Sequence, residues 1–200
     1  MIKKQKKSGV SIFESLIVIA AILILVSITF PVLRKVKETG RKATCLSNLY
    51  QYGIALKLYE NDSLFFPRAI NNPGDWDSLL DSLGYLKVIG NKKMFCPTYY
   101  IQHESSTPAI VRTYALARRI FLNGMSPQLV QTTDITYPNT TILLAEVNRE
   151  NTATELPYCD KTLSPINADR TRHMNGSNYL FFDFHVHWHK DTDNAIKWSN

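Results

Sequence analysis

From Ser15 to Leu33, 19 consecutive residues carry no charge, and Leu16–Val26 is apolar on every face of a helix. A soluble amphipathic helix shows a single apolar stripe instead. As a helix the uncharged run reaches about 28 Å, close to the hydrocarbon thickness of a bilayer. Val10–Leu33 is therefore expected to cross a membrane. A cleaved secretory signal has a shorter apolar core and a small-residue cut site, whereas Phe30, Pro31, Val32, Leu33 and Arg34 follow here. A retained anchor is the better reading.

Beyond Arg34 the pattern changes. Cys45, Leu49, Tyr52, Leu56 and Tyr59 recur at alternating steps of four and three, which places them on one helix face. Lys35, Lys42 and Lys57 lie elsewhere, and Ile54 and Leu58 fall roughly opposite the stripe. Asn61, Asp62 and Pro67 close the segment. Pro31 interrupts the pattern but would kink a helix rather than end it. One helix of about 75 Å is expected, with 10–33 in lipid and 34–62 on a soluble domain.

Residues 63–200 read as a loop-rich domain. Asn71–Gly74, Asn123-Gly124 and Ser126-Pro127 are turn signals, and Asp75–Gly84 suits a short helix. Thr113–Leu122, Thr140–Val147 and Asn178–His189 are rich in strand formers. The last reads as a hairpin, Tyr179–Phe182 with His185–His189, turning at Asp183-Phe184. Strands after one long helix, without βαβ alternation, predict an α+β fold: a small antiparallel sheet packed on the helix.

Composition narrows the function. The net charge is +6, but four of the excess positive charges are Lys3, Lys4, Lys6 and Lys7 in the leader 1–9. The rest of the chain carries only +2. A nucleic-acid groove needs charge spread over a folded face, so no nucleic-acid partner is expected. Nucleophile–base motifs, phosphate loops and usefully paired carboxylates are missing from the sequence. Neither an enzyme nor a cofactor is expected.

Glu14 stands at the head of the uncharged run. A carboxylate at the bilayer centre costs about 2.5–3.5 kcal/mol, and less near a helix end. One reading leaves it at headgroup level, where a helix N-terminus welcomes an anion. The other requires a cut after Gly9. The new Val10 amine would lie one helical turn from Glu14 and would pair with the carboxylate of the same or a neighbouring chain.

Two residue sets are weaker candidates. His185, His187 and His189 alternate with Val186 and Trp188, so a strand puts the three histidines on one face. Such a strip can chelate a metal, with His173 as an additional ligand if it lies nearby. The simpler reading turns Val186 and Trp188 to the core and the histidines to water, and no metal is expected. Cys45, Cys96 and Cys159 allow one intramolecular disulfide in three pairings, and the sequence leaves all three open. Equally, Cys45 fits as a packed residue on the apolar helix face.

The Lys-rich leader, Gly9, Val10-Ser11-Ile12-Phe13-Glu14 and the long apolar helix resemble the class III signal of type IV prepilins and type II secretion pseudopilins. The usual form is Gly-Phe-Thr-Leu-Ile-Glu. Gly and Glu keep their spacing here, and Pro31 falls where many such helices kink. The aromatic residue usual after the cut is replaced by Val10. The resemblance implies cleavage after Gly9 by prepilin peptidase and N-methylation of Val10. It further implies axial register set by Glu14 and polymerisation with other subunits of the class. It places the C-terminal domain outside the cytoplasmic membrane. Lysine and arginine counts on either side of the span, four before and five just after, do not decide that orientation alone.

A second resemblance covers the rest. Cys45–Leu49, Asn61-Asp62, Phe66-Pro67, Phe95-Cys96-Pro97, Thr141–Glu146 and Arg172-His173 through Trp188 are similar to the pseudopilin-like subfamily with a C-terminal H-x9-D-G signature. His173 and Asp183 keep that spacing, while Phe184 stands where glycine is usual. A tight two-residue turn there would want glycine, so a longer or different turn is expected. In related pseudopilins calcium is held by carboxylate and carbonyl loops, which makes Asp160, Asn167 and Asp169 the positions to test. The expected function is a structural subunit of a pseudopilus or pilus. The alternative is a single-span anchored binding protein that never polymerises, with or without a bound metal.

Overall fold

The computed structural model describes residues 11–67, 75–86, 94–98, 113–117, 130–147, 158–159 and 172–190. The leader, Gly9, Val10, the turns expected at 71–74, 123–124 and 126–127, and Asp160, Asn167 and Asp169 lie outside them. Its contacts divide the chain into two units, 1–38 and 39–200.

Helix α1 runs through Pro31 from Ile12 to Ser63. Its start is set locally. The Ser11 N–H donates to Glu14 Oε2 at 2.8 Å, and the Ser15 N–H donates to Ser11 O at 3.1 Å. This is the carboxylate half of a capping box, with Ser11 at the N-cap and Glu14 three residues on. Among the described residues of the first unit the apolar side chains are exposed: Ile17, Leu23, Leu25 and Ile28 are each more than three-fifths exposed. Ser27 and Thr29 donate to the carbonyls of Ile24 and Leu25, which satisfies their hydroxyls within the helix.

From Thr39 on, α1 belongs to the second unit and buries the stripe read from the sequence. Cys45, Leu49, Tyr52 and Leu56 are buried and Tyr59 is half-buried, while Ile54 and Leu58 are exposed. Gly53 makes close approach possible, since a Cβ there would sit 2.9 Å from a Leu180 methyl. The helix ends where Leu64 turns left-handed at φ 68°, and Ser63 Oγ bonds the Tyr59 carbonyl at 2.6 Å. Glu60, buried in the last turn, accepts the Thr132 N–H at 2.6 Å and ties the helix end to a short 3-10 turn, Thr132–Asp134.

Helix α2 (Asp75–Ser82) stops short of the expected Gly84 and sends Trp76 and Leu80 into the core. The strands are β1 (Tyr114–Ala117), β2 (Ile142–Glu146), β3 (Tyr158–Cys159), β4 (Gly176–Phe181) and β5 (Val186–Lys190). They form one sheet in the order β3-β1-β2-β4-β5. Every pairing is antiparallel except the two-residue parallel bridge of β3 to β1. The fold is thus α+β, with a long N-terminal helix packed against a small, essentially antiparallel sheet.

Leu116, Leu143, Leu144, Leu180 and Phe182 meet the stripe of α1, while Ile142, Ala145, Tyr179 and Phe181 pack on the other sheet face. Strict alternation would send Leu143 and Leu144 to opposite faces. A register shift between Ile142 and Leu144 breaks the alternation and turns both inward.

The hairpin predicted at the C-terminal end is present, with β4 beginning at Gly176 rather than near Tyr179. Its turn is longer than two residues. The Phe184 N–H donates to Phe181 O at 2.9 Å and the Phe181 N–H donates to His185 O at 3.0 Å. Phe184 takes φ 69°, so the residue in the glycine position adopts the conformation glycine would favour. Its ring contacts Phe66 and lies under Lys57 Nζ.

Candidate functional site

Two features carry chemistry. The first is the head of α1, where Glu14 sits in the exposed first turn and caps the Ser11 N–H. Its neighbours Ile12, Phe13, Leu16 and Ile17 are exposed. Seryl N-cap and glutamyl N3 before an apolar run form the S-x-x-E signature, so the cap was legible in the sequence beside the two readings given above.

The second feature lies inside the domain and was not read from the sequence. Cys45 from α1, Cys96 from the segment before β1, Glu146 at the end of β2 and His173 before β4 converge. One donor atom from each lies within 4.8 Å of the others. All four residues are fully buried. Cys45 and Cys96 form a disulfide across 51 residues. That choice settles the three open pairings, and it corrects the reading of Cys45 as a merely packed residue.

Each group is held by a separate local device. The Cys96 N–H donates to Thr113 Oγ1 at 3.0 Å, and Asn48 Nδ2, one turn after Cys45, donates to the Phe95 carbonyl at 2.9 Å. Glu146 Oε2 accepts the Asn178 N–H at 3.0 Å, and Oε1 accepts Asn178 Nδ2 at 3.2 Å. His173 is fixed by a tight turn in which the 173 and 176 backbones bond each other both ways, with Met174 and Asn175 at positive φ. Trp188 Nε1 donates to the His173 carbonyl at 3.0 Å. Gly176 is obligatory in this turn, because a Cβ there would lie 2.3 Å from the His189 carbonyl and 2.5 Å from the Trp188 ring.

The imidazole is thereby aimed inward. Nε2 lies 3.1 Å from Glu146 Oε1 and 3.3 Å from Cys96 Sγ, and Nδ1 lies 3.5 Å from Thr98 Oγ1. Arg172, adjoining it and also buried, donates to the carbonyls of Val147 and Thr113. Burial, and secondly the Glu146 carboxyl, push the nearby Tyr114 hydroxyl well above its usual titration range.

The remaining sequence candidates separate. His173 does not join the histidine strip; it faces Cys96 and Glu146 instead, because the 173–176 turn precedes β4. His185 and His187 are exposed, and His189 is half-buried on the same strand. His185 pairs through Nδ1 with Asp183 and stacks on Phe181, while the rings of His187 and His189 meet at 4.8 Å. Val186 and Trp188, expected in the core, are half-buried, and Lys42 Nζ lies 4.0 Å above the Trp188 ring. His173 and Asp183, the signature pair, serve different contacts: the buried cluster and the β4–β5 turn. Cys159 has its backbone in β3.

Compared with family models, curated proteins and solved structures, the chain finds no significant match in any of the three.

Proposed function

We propose that this chain is a subunit of a type II secretion-like pseudopilus or type IV pilus, cut after Gly9 and polymerised through α1. The observation that carries the proposal is the contrast along one continuous helix. Its first half is long and apolar enough to cross a membrane and has none of that surface buried within the chain. Its second half is built into the core of a folded domain. An exposed apolar helix that continues in sequence into a folded domain suits transfer from bilayer to fibre, because apolar contacts with neighbouring helices replace contacts with lipid.

Two further features support the reading. Glu14 stands four residues after Val10 in the sequence, a spacing that suits pairing with the amine that cleavage would expose. The disulfide in the C-terminal domain suits an oxidising compartment outside the cytoplasm. In this mechanism the Lys-rich leader stays cytoplasmic and prepilin peptidase cuts the Gly9–Val10 bond and methylates Val10. Subunits then leave the cytoplasmic membrane as their helices bundle.

Mass spectrometry of the membrane-extracted protein tests the first step. The expected chain begins at Val10, and Gly9→Val retains the leader because the peptidase must fit the backbone at the cut. A wild-type chain still beginning at Met1 removes the proposal and leaves a single-span anchored protein.

A further inference from the structure

We propose that Cys45, Cys96, Glu146 and His173, with both cysteines as thiolates, form a closed tetrahedral site for Zn²⁺. Four donors from four separate segments meet in the interior of the domain, all fully buried and all within 4.8 Å of one another. Tetrahedral zinc with sulfur, nitrogen and oxygen ligands needs donor–donor separations of about 3.2–3.8 Å. Nε2 to Cys96 Sγ at 3.3 Å lies in that range, and Nε2 to Glu146 Oε1 at 3.1 Å lies just below it, so the carboxylate would draw back slightly to admit the ion.

His173 Nε2 faces a sulfur and a carboxyl oxygen at once. In the disulfide-bonded chain its hydrogen serves the carboxylate, and the sulfur needs no donor. Reduction would place two thiols beside that carboxylate and that nitrogen, and a cation at the shared point would hold all four donors. The neutral ring would then bind through Nε2 and donate from Nδ1 to Thr98 Oγ1, its outer partner at 3.5 Å. The two hydrogen bonds of Asn178 to the Glu146 carboxylate supply the corresponding orientation for the oxygen ligand. Two thiolates and one carboxylate around Zn²⁺ leave a single negative charge, and the buried Arg172 guanidinium is held on the carbonyl of Val147, the residue after Glu146. Two sulfurs select zinc over calcium or magnesium.

The disulfide is the other state of the same four residues. A dithiol chain binding Zn²⁺ releases two protons to solvent. Thiol–disulfide exchange with a low-molecular-weight or protein disulfide then takes two electrons from the cysteinates. The sulfur–sulfur bond of the oxidant breaks, the Cys45–Cys96 bond forms, two thiolates of the oxidant leave, and Zn²⁺ is freed.

Co²⁺, added to the full chain in detergent, is the probe. After reduction by a phosphine, one Co²⁺ per chain is expected. It should show the visible bands of a tetrahedral ion and near-ultraviolet thiolate-to-cobalt charge transfer, both abolished by excess Zn²⁺. The oxidised chain should show neither. Cys45→Ser, Cys96→Ser and His173→Gln should weaken binding by more than the roughly 10–100-fold that loss of an outer partner costs. Thr98→Val leaves every ligand in place and should weaken it about 10-fold, which keeps the proposal testable if a ligand variant fails to fold. Replacing His185, His187 and His189 together by alanine should leave the spectrum unchanged. Absence of thiolate–cobalt charge transfer in the reduced chain overturns the proposal. So does an equal spectrum from the oxidised chain, or loss of the spectrum in the triple-histidine variant.

Discussion

Phe184 occupies a left-handed conformation at the tip of the β4–β5 hairpin, where a side chain with a Cβ costs about 1–2 kcal/mol. Its ring offsets part of that cost against Phe66 and Lys57. The two terms separate by substitution. Phe184→Ala removes the ring and keeps the strained backbone, whereas Phe184→Gly removes both. The glycine variant is expected to be more stable than the alanine variant by about 1 kcal/mol, and urea unfolding of the detergent-solubilised protein measures the difference. Equal stabilities would mean that the alanine variant relaxes out of φ 69°. The sequence carried this site half-way. A departure from glycine was visible and a longer turn followed from it, but the same departure gave no hint that Phe184 keeps the glycine conformation. Packing against a phenylalanine 118 positions earlier holds it there.

Elements were legible where the pattern is local. The stripe Cys45–Leu49–Tyr52–Leu56 is periodic, and it is the buried face of α1. The hairpin alternates, and it is present. The doubling at Leu143 and Leu144 was not legible, because a bulge depends on what β4 offers opposite β2. Nor was the cluster of Cys45, Cys96, Glu146 and His173. Each residue was noticed in its own segment, but no local rule says which segments meet. Strand β5 adds a pH dependence of its own. His187 is held below its ordinary 6.5, first by partial burial, then by the neighbouring His189 and His185 and by Lys42. The unfolded chain therefore binds the proton more readily than the folded one. Stability should fall as pH drops through 6.5 and level off once the folded form protonates too. Thermal unfolding at about pH 5.5 and about pH 7.5 should show this slope, and His187→Gln should flatten it. An unchanged slope in the variant would assign the dependence to other groups.

For the whole molecule, the proposed assembly turns on what Glu14 does. In the single chain its carboxylate caps the Ser11 N–H, a contribution of about 1 kcal/mol to the start of α1. In a fibre it would also face the Val10 amine of a neighbour in an apolar core. Removing one partner of a buried charge pair costs about 3–5 kcal/mol, mostly because the other charge is stranded. The two roles give different answers to two substitutions. Glu14→Leu loses the cap and the charge. Glu14→Gln keeps an acceptor for the Ser11 N–H, as glutamine serves at this position of a capping box, but has no charge for the amine. If pairing sets the register, both variants should insert and be cut after Gly9 yet yield few fibres, and Gln should be nearly as defective as Leu. If the cap is the whole role, Gln should assemble like the wild type and Leu should lose only a little. Fibre yield by electron microscopy, at equal amounts of mature subunit in the membrane, distinguishes the two. Wild-type polymerisation by Glu14→Gln would remove the register mechanism while leaving the exposed apolar helix as the means of assembly.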